Sequence, residues 1–296
     1  DAYVYAKIKA KGLKPNPEAG SYELIKRASL DLTGLPPSPE ILDKYAGFQG
    51  PNTYDKLLEE LMSLPSYGEK MGILWLDISR YSDSYGYQDD EARGQWPYRD
   101  WVIHAFNNNL PYDQFITWQL AGDLLPNATK EQILATAFNR NHKYTEEGGV
   151  IHEEYRVEYV LDKTNTFSKG ILGLTMECAQ CHDHKYDPVS QKEYFEMYAF
   201  FNNSKEKGFE GDISQTKPAK TPILWIERQD IDGIMKFINH KDTTKLMVSV
   251  MGELDSAERR QTYILDRGAY DSPTVPVEAS TPSSVLKFSE NFEKNR

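Results

Sequence analysis

Cys178-Ala179-Gln180-Cys181-His182 places two thiols and an imidazole within five residues. The spacing is C-x-x-C-H, that of a c-type haem attachment site. Two thiols on one turn can each form a thioether with a haem vinyl group. The histidine that follows them can then turn its imidazole onto the iron as the proximal ligand. Cys178 and Cys181 are the only cysteines in 296 residues, so no other disulfide framework could have placed them there. The expectation is one covalently attached haem c, held by Cys178, Cys181 and His182.

Two other chemistries use the same atoms. A reversible C-x-x-C disulfide needs a reactive thiolate, usually on a thioredoxin-like βαβ scaffold, and no such alternation surrounds this segment. A zinc site could draw on Cys178, Cys181, His182 and His184. All four fall within seven residues, whereas tetrahedral sites normally take ligands from two separated knuckles. A structural or ligand-binding domain, with the cysteine pair as a haem staple, zinc site or disulfide, is the alternative to a redox role.

Other residues are candidates for supporting parts. His142, in a polar segment before Glu146-Glu147-Gly148-Gly149, is the candidate sixth ligand or distal acid–base group. A structural histidine is the competing reading. His184 is too close to His182 to reach the opposite haem face, which points to a structural or supporting role. His104, His152 and His240 have weaker claims. Of the methionines near the motif, Met197 fits an apolar stripe and Met176 does not. Asp183 could accept the free N–H of His182, or simply form a turn. The charged run Glu146, Glu147, Glu153, Glu154, Arg156, Glu158 and Asp162 could supply paired carboxylates for acid–base work on a substrate, although helix-surface pairing explains much of it more cheaply. Asp77 with Arg80, and Arg99 with Asp100, read as ion pairs. No residue is named as catalytic.

The elements that would position these groups are mostly helices. Val4 and Ile8 share one face of a first helix; Leu24, Ile25, Ala28 and Leu32 mark a second, stopped by Gly34-Leu35-Pro36-Pro37. Ser38-Pro39-Glu40 restarts the chain with a capping serine and a proline at the first helical position. Thr129 with Gln132, and Ser190 with Glu193, are capping-box pairs. A helix over Glu153 to Ser168, with Val157, Val160 and Leu161 inward, delivers the chain to the cysteine motif. Ser204 to Lys220 reads as a polar, lysine-rich surface loop. Ile223 to Ile226, Lys245 to Met251 and Tyr263 to Leu265 read as strands, the last two a candidate pair, and Ser272 to Ser284 as extended chain. The architecture expected is mainly α: a helical domain over 1–205 carrying the motif, then a linker and small β-containing extension over 206–296 packed on it.

Hydrophobic content of 39% and charged content of 27% are those of a globular domain. No apolar run approaches the ~20 residues a membrane-spanning helix needs. A net charge of −11 argues against nucleic acid as a partner and favours a basic redox protein. The chain begins at Asp1 with neither methionine nor leader, and reads as a processed or truncated product.

With these segments in view, the chain resembles the domain of unknown function 1549 family, which accompanies cytochrome c domains in planctomycetes and related bacteria. The resemblance rests on Arg27-Ala28-Ser29-Leu30-Asp31-Leu32-Thr33-Gly34-Leu35-Pro36-Pro37, Trp75-Leu76-Asp77 with Arg80-Tyr81, and Tyr98-Arg99-Asp100-Trp101-Val102. It continues through Pro111-Tyr112-Asp113, Gln119 to Pro126, Glu146 to Gly149, and Leu172 through His184-Lys185 to Asp187-Pro188. Met71-Gly72-Ile73-Leu74 departs from a stretch that is usually more aromatic and basic. The resemblance implies a bacterial protein that is periplasmic or otherwise exported, followed by a second family-specific domain of the same polypeptide. It supports the haem and export readings, and a system that oxidises sugars or other polymer fragments is the setting the family suggests for the electron-transfer or oxidoreductase role expected of the haem.

Overall fold

The computed structural model describes residues 1–88, 90–211, 217–239, 245–285 and 295–296. The fold is mainly α, with eleven α-helices and two small antiparallel sheets among the described residues. His240 lies outside them. The chain divides into two compact units, 1–71 and 72–296.

The first unit contains α1 (Ala2–Ala10), α2 (Ser21–Thr33), α3 (Pro39–Tyr45), α4 (Thr53–Ser63) and the start of α5 (Pro65–Ile78). Ile25 and Ala28 from α2, Ile41 and Tyr45 from α3, and Leu57 and Leu61 from α4 form its core. These pairs are three or four residues apart, which puts each on one face of its helix. Gly34 ends α2 in the left-handed region (φ 70°), where a side chain would be strained. Ser38 Oγ accepts from the Ile41 amide and Pro39 occupies the first turn, as expected from Ser-Pro-Glu. In α1 no residue is buried.

The second unit holds α6 (Trp96–Asn107), α7 (Tyr112–Ala121), α8 (Lys130–Ala135), α9 (His152–Phe167), α10 (Gln191–Asn202) and α11 (Arg228–Asp232). Its strands are β1 (Ile223–Glu227), β2 (Lys245–Ser249), β3 (Thr262–Leu265) and β4 (Pro273–Val277). β1 pairs with β2, from Ile223 opposite Ser249 to Glu227 opposite Lys245, and β3 pairs with β4. The strand over Lys245 to Ser249 therefore pairs with the one before it and not with Tyr263 to Leu265. One core joins Trp75, Trp101, Phe115 and Phe138 to Leu224, Ile226 and Val248. The antiparallel β1–β2 pair thus packs against these helices. A second core joins Val157, Val160 and Leu161 of α9 to Tyr194, Phe195 and Tyr198 of α10, closed by Leu265 and Val277.

Two helix starts carry the expected reciprocal caps, Thr129 with Gln132 on α8 and Ser190 with Glu193 on α10. Glu193 also accepts from the Ser283 amide and hydroxyl at 3.0 and 2.8 Å, so this cap ties the C-terminal tail to α10. Ser190→Ala should lower stability by about 1 kcal/mol, the usual cost of losing an N-cap. Urea denaturation would check it, and an unchanged midpoint would mean that Glu193 alone holds the turn.

The polar segment after α10 is not a surface loop throughout. Ser204, Glu206 and Lys220 are each at most 2% exposed. Gly208 sits so close to the first turn of α9 that a Cβ there would collide with the His152 carbonyl and the Arg156 amide. Only glycine permits that approach, and it draws Glu206 beneath α9.

Candidate functional site

Cys178 lies in a single 3-10 turn, Glu177–Gln180, and Cys181 closes it. Met176 and Ala179 anchor that turn in the core under α9 and α10, at 1% and 0% exposed. The residues between and after them point the other way, and both cysteines are exposed, free thiols. Three residues of separation on one turn put the two sulfurs on the same side of the chain. Cys181 Sγ donates to the Arg267 carbonyl at 3.2 Å, a contact from the loop joining β3 to β4.

His182 is exposed, and its Nδ1 is 2.8 Å from the Asp183 carbonyl oxygen. A carbonyl can only accept, so Nδ1 carries the hydrogen in the neutral ring and Nε2 keeps its lone pair. That is the tautomer a metal-ligating histidine needs. Asp183 therefore supports His182 through its backbone, while its carboxylate accepts from the Gln191 amide at 2.8 Å and fixes the start of α10. His184 organises the turn: its Nδ1 accepts from the Asp187 amide at 2.8 Å and the Tyr186 amide at 3.3 Å. Among the described residues no group of three or more cysteine, histidine or acidic side chains converges to hold a metal ion. Two free thiols and an imidazole lone pair do suit covalent haem c.

The structure places His142 elsewhere. It is 2% exposed, stacked on Tyr159 with ring centroids 4.5 Å apart. Its Nδ1 is 2.6 Å from the Lys143 carbonyl and its Nε2 is 2.7 Å from Glu206 Oε1. To ligate iron the ring would have to give up one of these partners, and no contact joins it to Cys178, Cys181 or His182 among the described residues.

Glu206 is the hub of a buried charge cluster. Arg140 Nε approaches its Oε1 at 2.9 Å and Lys163 pairs with its Oε2. Burial alone would raise the Glu206 pKa; Arg140, His142 and Lys163 outweigh burial and hold it well below the carboxylate range. Burial pushes Lys163 down to about 8 against the pull of Glu206. Both nitrogens of His142 face acceptors, which favours a doubly protonated ring, whereas burial and Lys163 push its pKa down to about 4. The neutral ring prevails, because burial outweighs the pull of Glu206. Arg93, also buried, donates to the carbonyls of Arg140, Asn141 and His142 and so fixes this strand of chain. Nearby, Glu146 pairs with Lys220, whose ammonium lies over the rings of Tyr85 and Tyr144 at 4.8 and 5.4 Å.

Two cavities flank this region, of about 470 and 440 Å³, and Arg80, Glu158 and Asp162 line both. Glu177 and Gln180 from the cysteine turn reach the first; Asn141, His142 and Tyr159 reach the second. Arg80 pairs with Asp162 at 2.8 Å instead of with Asp77, while Arg99 does pair with Asp100 at 3.0 Å.

The model of a family described as PSCyt2, a protein of unknown function (DUF1549), matches residues 1–206. The chain belongs to the DUF1549 family. No curated protein and no solved structure matches it. The DUF1549 match ends at Glu206, yet the site does not: Cys181 takes a partner from Arg267 and Glu146 takes one from Lys220. In this DUF1549 chain the sequence motif locates the thiols and His182 but not the Glu206 hub. Lys163 was the available signal, since it falls four residues after the buried Tyr159, on an inward stretch of α9.

Proposed function

We propose that this chain is an exported c-type haem protein that passes electrons to a partner protein, as the redox module of a larger oxidoreductase. One observation carries the reading: two free thiols share an exposed turn, and the next residue is a histidine whose Nδ1–H is bonded to a carbonyl, leaving Nε2 for iron. Cys178 and Cys181 would hold the haem by thioethers and His182 would ligate it. Bound there, the haem supplies one-electron transfer. The exposure of the turn leaves this edge accessible to a docking protein. The charge of −11 favours a basic partner, with association weakening as salt rises. A following domain of the same polypeptide, and a carbohydrate-oxidising system, are the setting the family resemblance suggests. No helix among the described residues is long and apolar enough to cross a membrane.

Expression with a working haem c maturation system tests the reading. The denatured protein should weigh one haem more than the polypeptide, and Cys178→Ala or Cys181→Ala should lose most of that adduct. His182→Ala should retain covalent mass but change the optical spectrum. A bare polypeptide mass in such a host would sink the proposal.

A further inference from the structure

Between α9, α10 and the β3–β4 pair lies a third cavity, of about 300 Å³, whose lining includes Glu153, Arg156, Arg260, Tyr263 and Tyr270. Arg260 is half-buried. Its Nη1 donates to the Asn202 and Ser204 carbonyls at 2.8 and 2.9 Å, and its backbone amide donates to Asn203 Oδ1 at 2.7 Å. The other edge of the guanidinium, Nε with Nη2, has no hydrogen bond or ion pair among the described residues and is open to solvent. Glu153, the one carboxylate on this wall, is already engaged: its two oxygens accept from Arg156 at 2.8 and 2.6 Å. Two guanidiniums therefore share the cavity with a single carboxylate, in a chain whose net charge is −11. Burial and Arg156 both act against the Arg260 cation, and an anion on its free edge would offset both.

We propose that this cavity binds a small aromatic carboxylate. The Nε–H and Nη2–H groups of Arg260 run parallel and match the two oxygens of a carboxylate. Because two carbonyls fix Nη1, the fork is set before a ligand arrives, which lowers the cost of ordering it. One excess positive charge suits a monoanion, whereas a dianion such as phosphate is repelled more strongly by Glu153 on the same wall. Tyr263 is 38% exposed and Tyr270 is partly exposed, and neither ring packs on another aromatic ring among the described residues. Both are free to contact a flat ligand. A volume of about 300 Å³ lies at the small end of ligand sites, which limits the occupant to a single ring with its substituents. None of these residues belongs to the cysteine turn, so the site stands or falls independently of the haem reading.

Titration calorimetry of the chain with benzoate and 4-hydroxybenzoate tests this, with benzamide, acetate and inorganic phosphate as controls. Benzamide keeps the ring without the charge, and acetate keeps the carboxylate without the ring. At least one of the two aromatic acids should bind more tightly than all three controls. Arg260→Lys should weaken that binding about tenfold or more, because a point charge replaces the fork. Tyr263→Ala should weaken it about three- to tenfold with little change in melting temperature, since that side chain is 38% exposed. This second variant decides the matter where Arg260→Lys fails to fold. Three results would overturn the proposal. These are no binding by either aromatic acid, any control binding as tightly as they do, and a folded Arg260→Lys or Tyr263→Ala protein that binds unchanged.

Discussion

Replacing Glu206 with glutamine should cost about 3–5 kcal/mol, the scale for breaking a buried ion pair by removing one partner. The side chain keeps its shape, so the loss reports on charge. Arg140 and Lys163 would face each other across the site at 1% and 0% side-chain exposure with no anion between them. The pH dependence has a definite sign. In the native protein the Glu206 carboxyl is held below its ordinary value, so its contribution is present above about pH 4.3 and is lost as pH falls through the folded value. His142 adds to acid lability: its folded pKa of about 4 lies below 6.5, so the unfolded chain takes the proton first across that interval. Lys163, lowered to about 8, makes stability rise between there and its ordinary value near 10.4, where only the unfolded chain keeps the proton. In Glu206→Gln the anion that favoured charged Lys163 is gone, its pKa falls further, and the defect should be smaller at pH 9 than at pH 6. Denaturant titrations at the two pH values decide it. A loss under about 1 kcal/mol, equal at both, would mean that water reaches the cluster and screens it.

What the sequence made legible follows a physical division. Helix ends were readable because capping is local: Ser38, Thr129 and Ser190 each bond to the amide three residues on. The inward stripe of α9 was readable because Val157, Val160 and Leu161 repeat with the helical period, and all three are buried. The cysteine turn was readable because its chemistry sits in five consecutive residues. Strand pairing was not, since nothing in Lys245–Ser249 says whether its partner precedes or follows it; the register of β1 with β2 is a tertiary fact. Composition misled most between Ser204 and Lys220. A polar, charged stretch ordinarily stays in water, but Ser204, Glu206 and Lys220 are interior because each finds a partner from a distant element. The same limit separates Arg80 from Asp77: proximity in sequence suggested that pair, and the fold supplies Asp162 from α9.

Lys220→Met should be the second large loss, again about 3–5 kcal/mol. Lys220 and Glu146 are a buried pair, with side chains 3% and 1% exposed. The second oxygen of Glu146 has no hydrogen-bond partner, so the carboxylate depends on this one ammonium. Methionine keeps the chain length and fills the space over Tyr85 and Tyr144, which removes a cavity from the list of causes and leaves an uncompensated charge. Adding Glu146→Leu to Lys220→Met should then recover most of the loss, because an apolar pair of similar volume often matches a buried ion pair. A double variant no better than Lys220→Met alone would show that Lys220 acts through its contacts with the two tyrosine rings and not through Glu146.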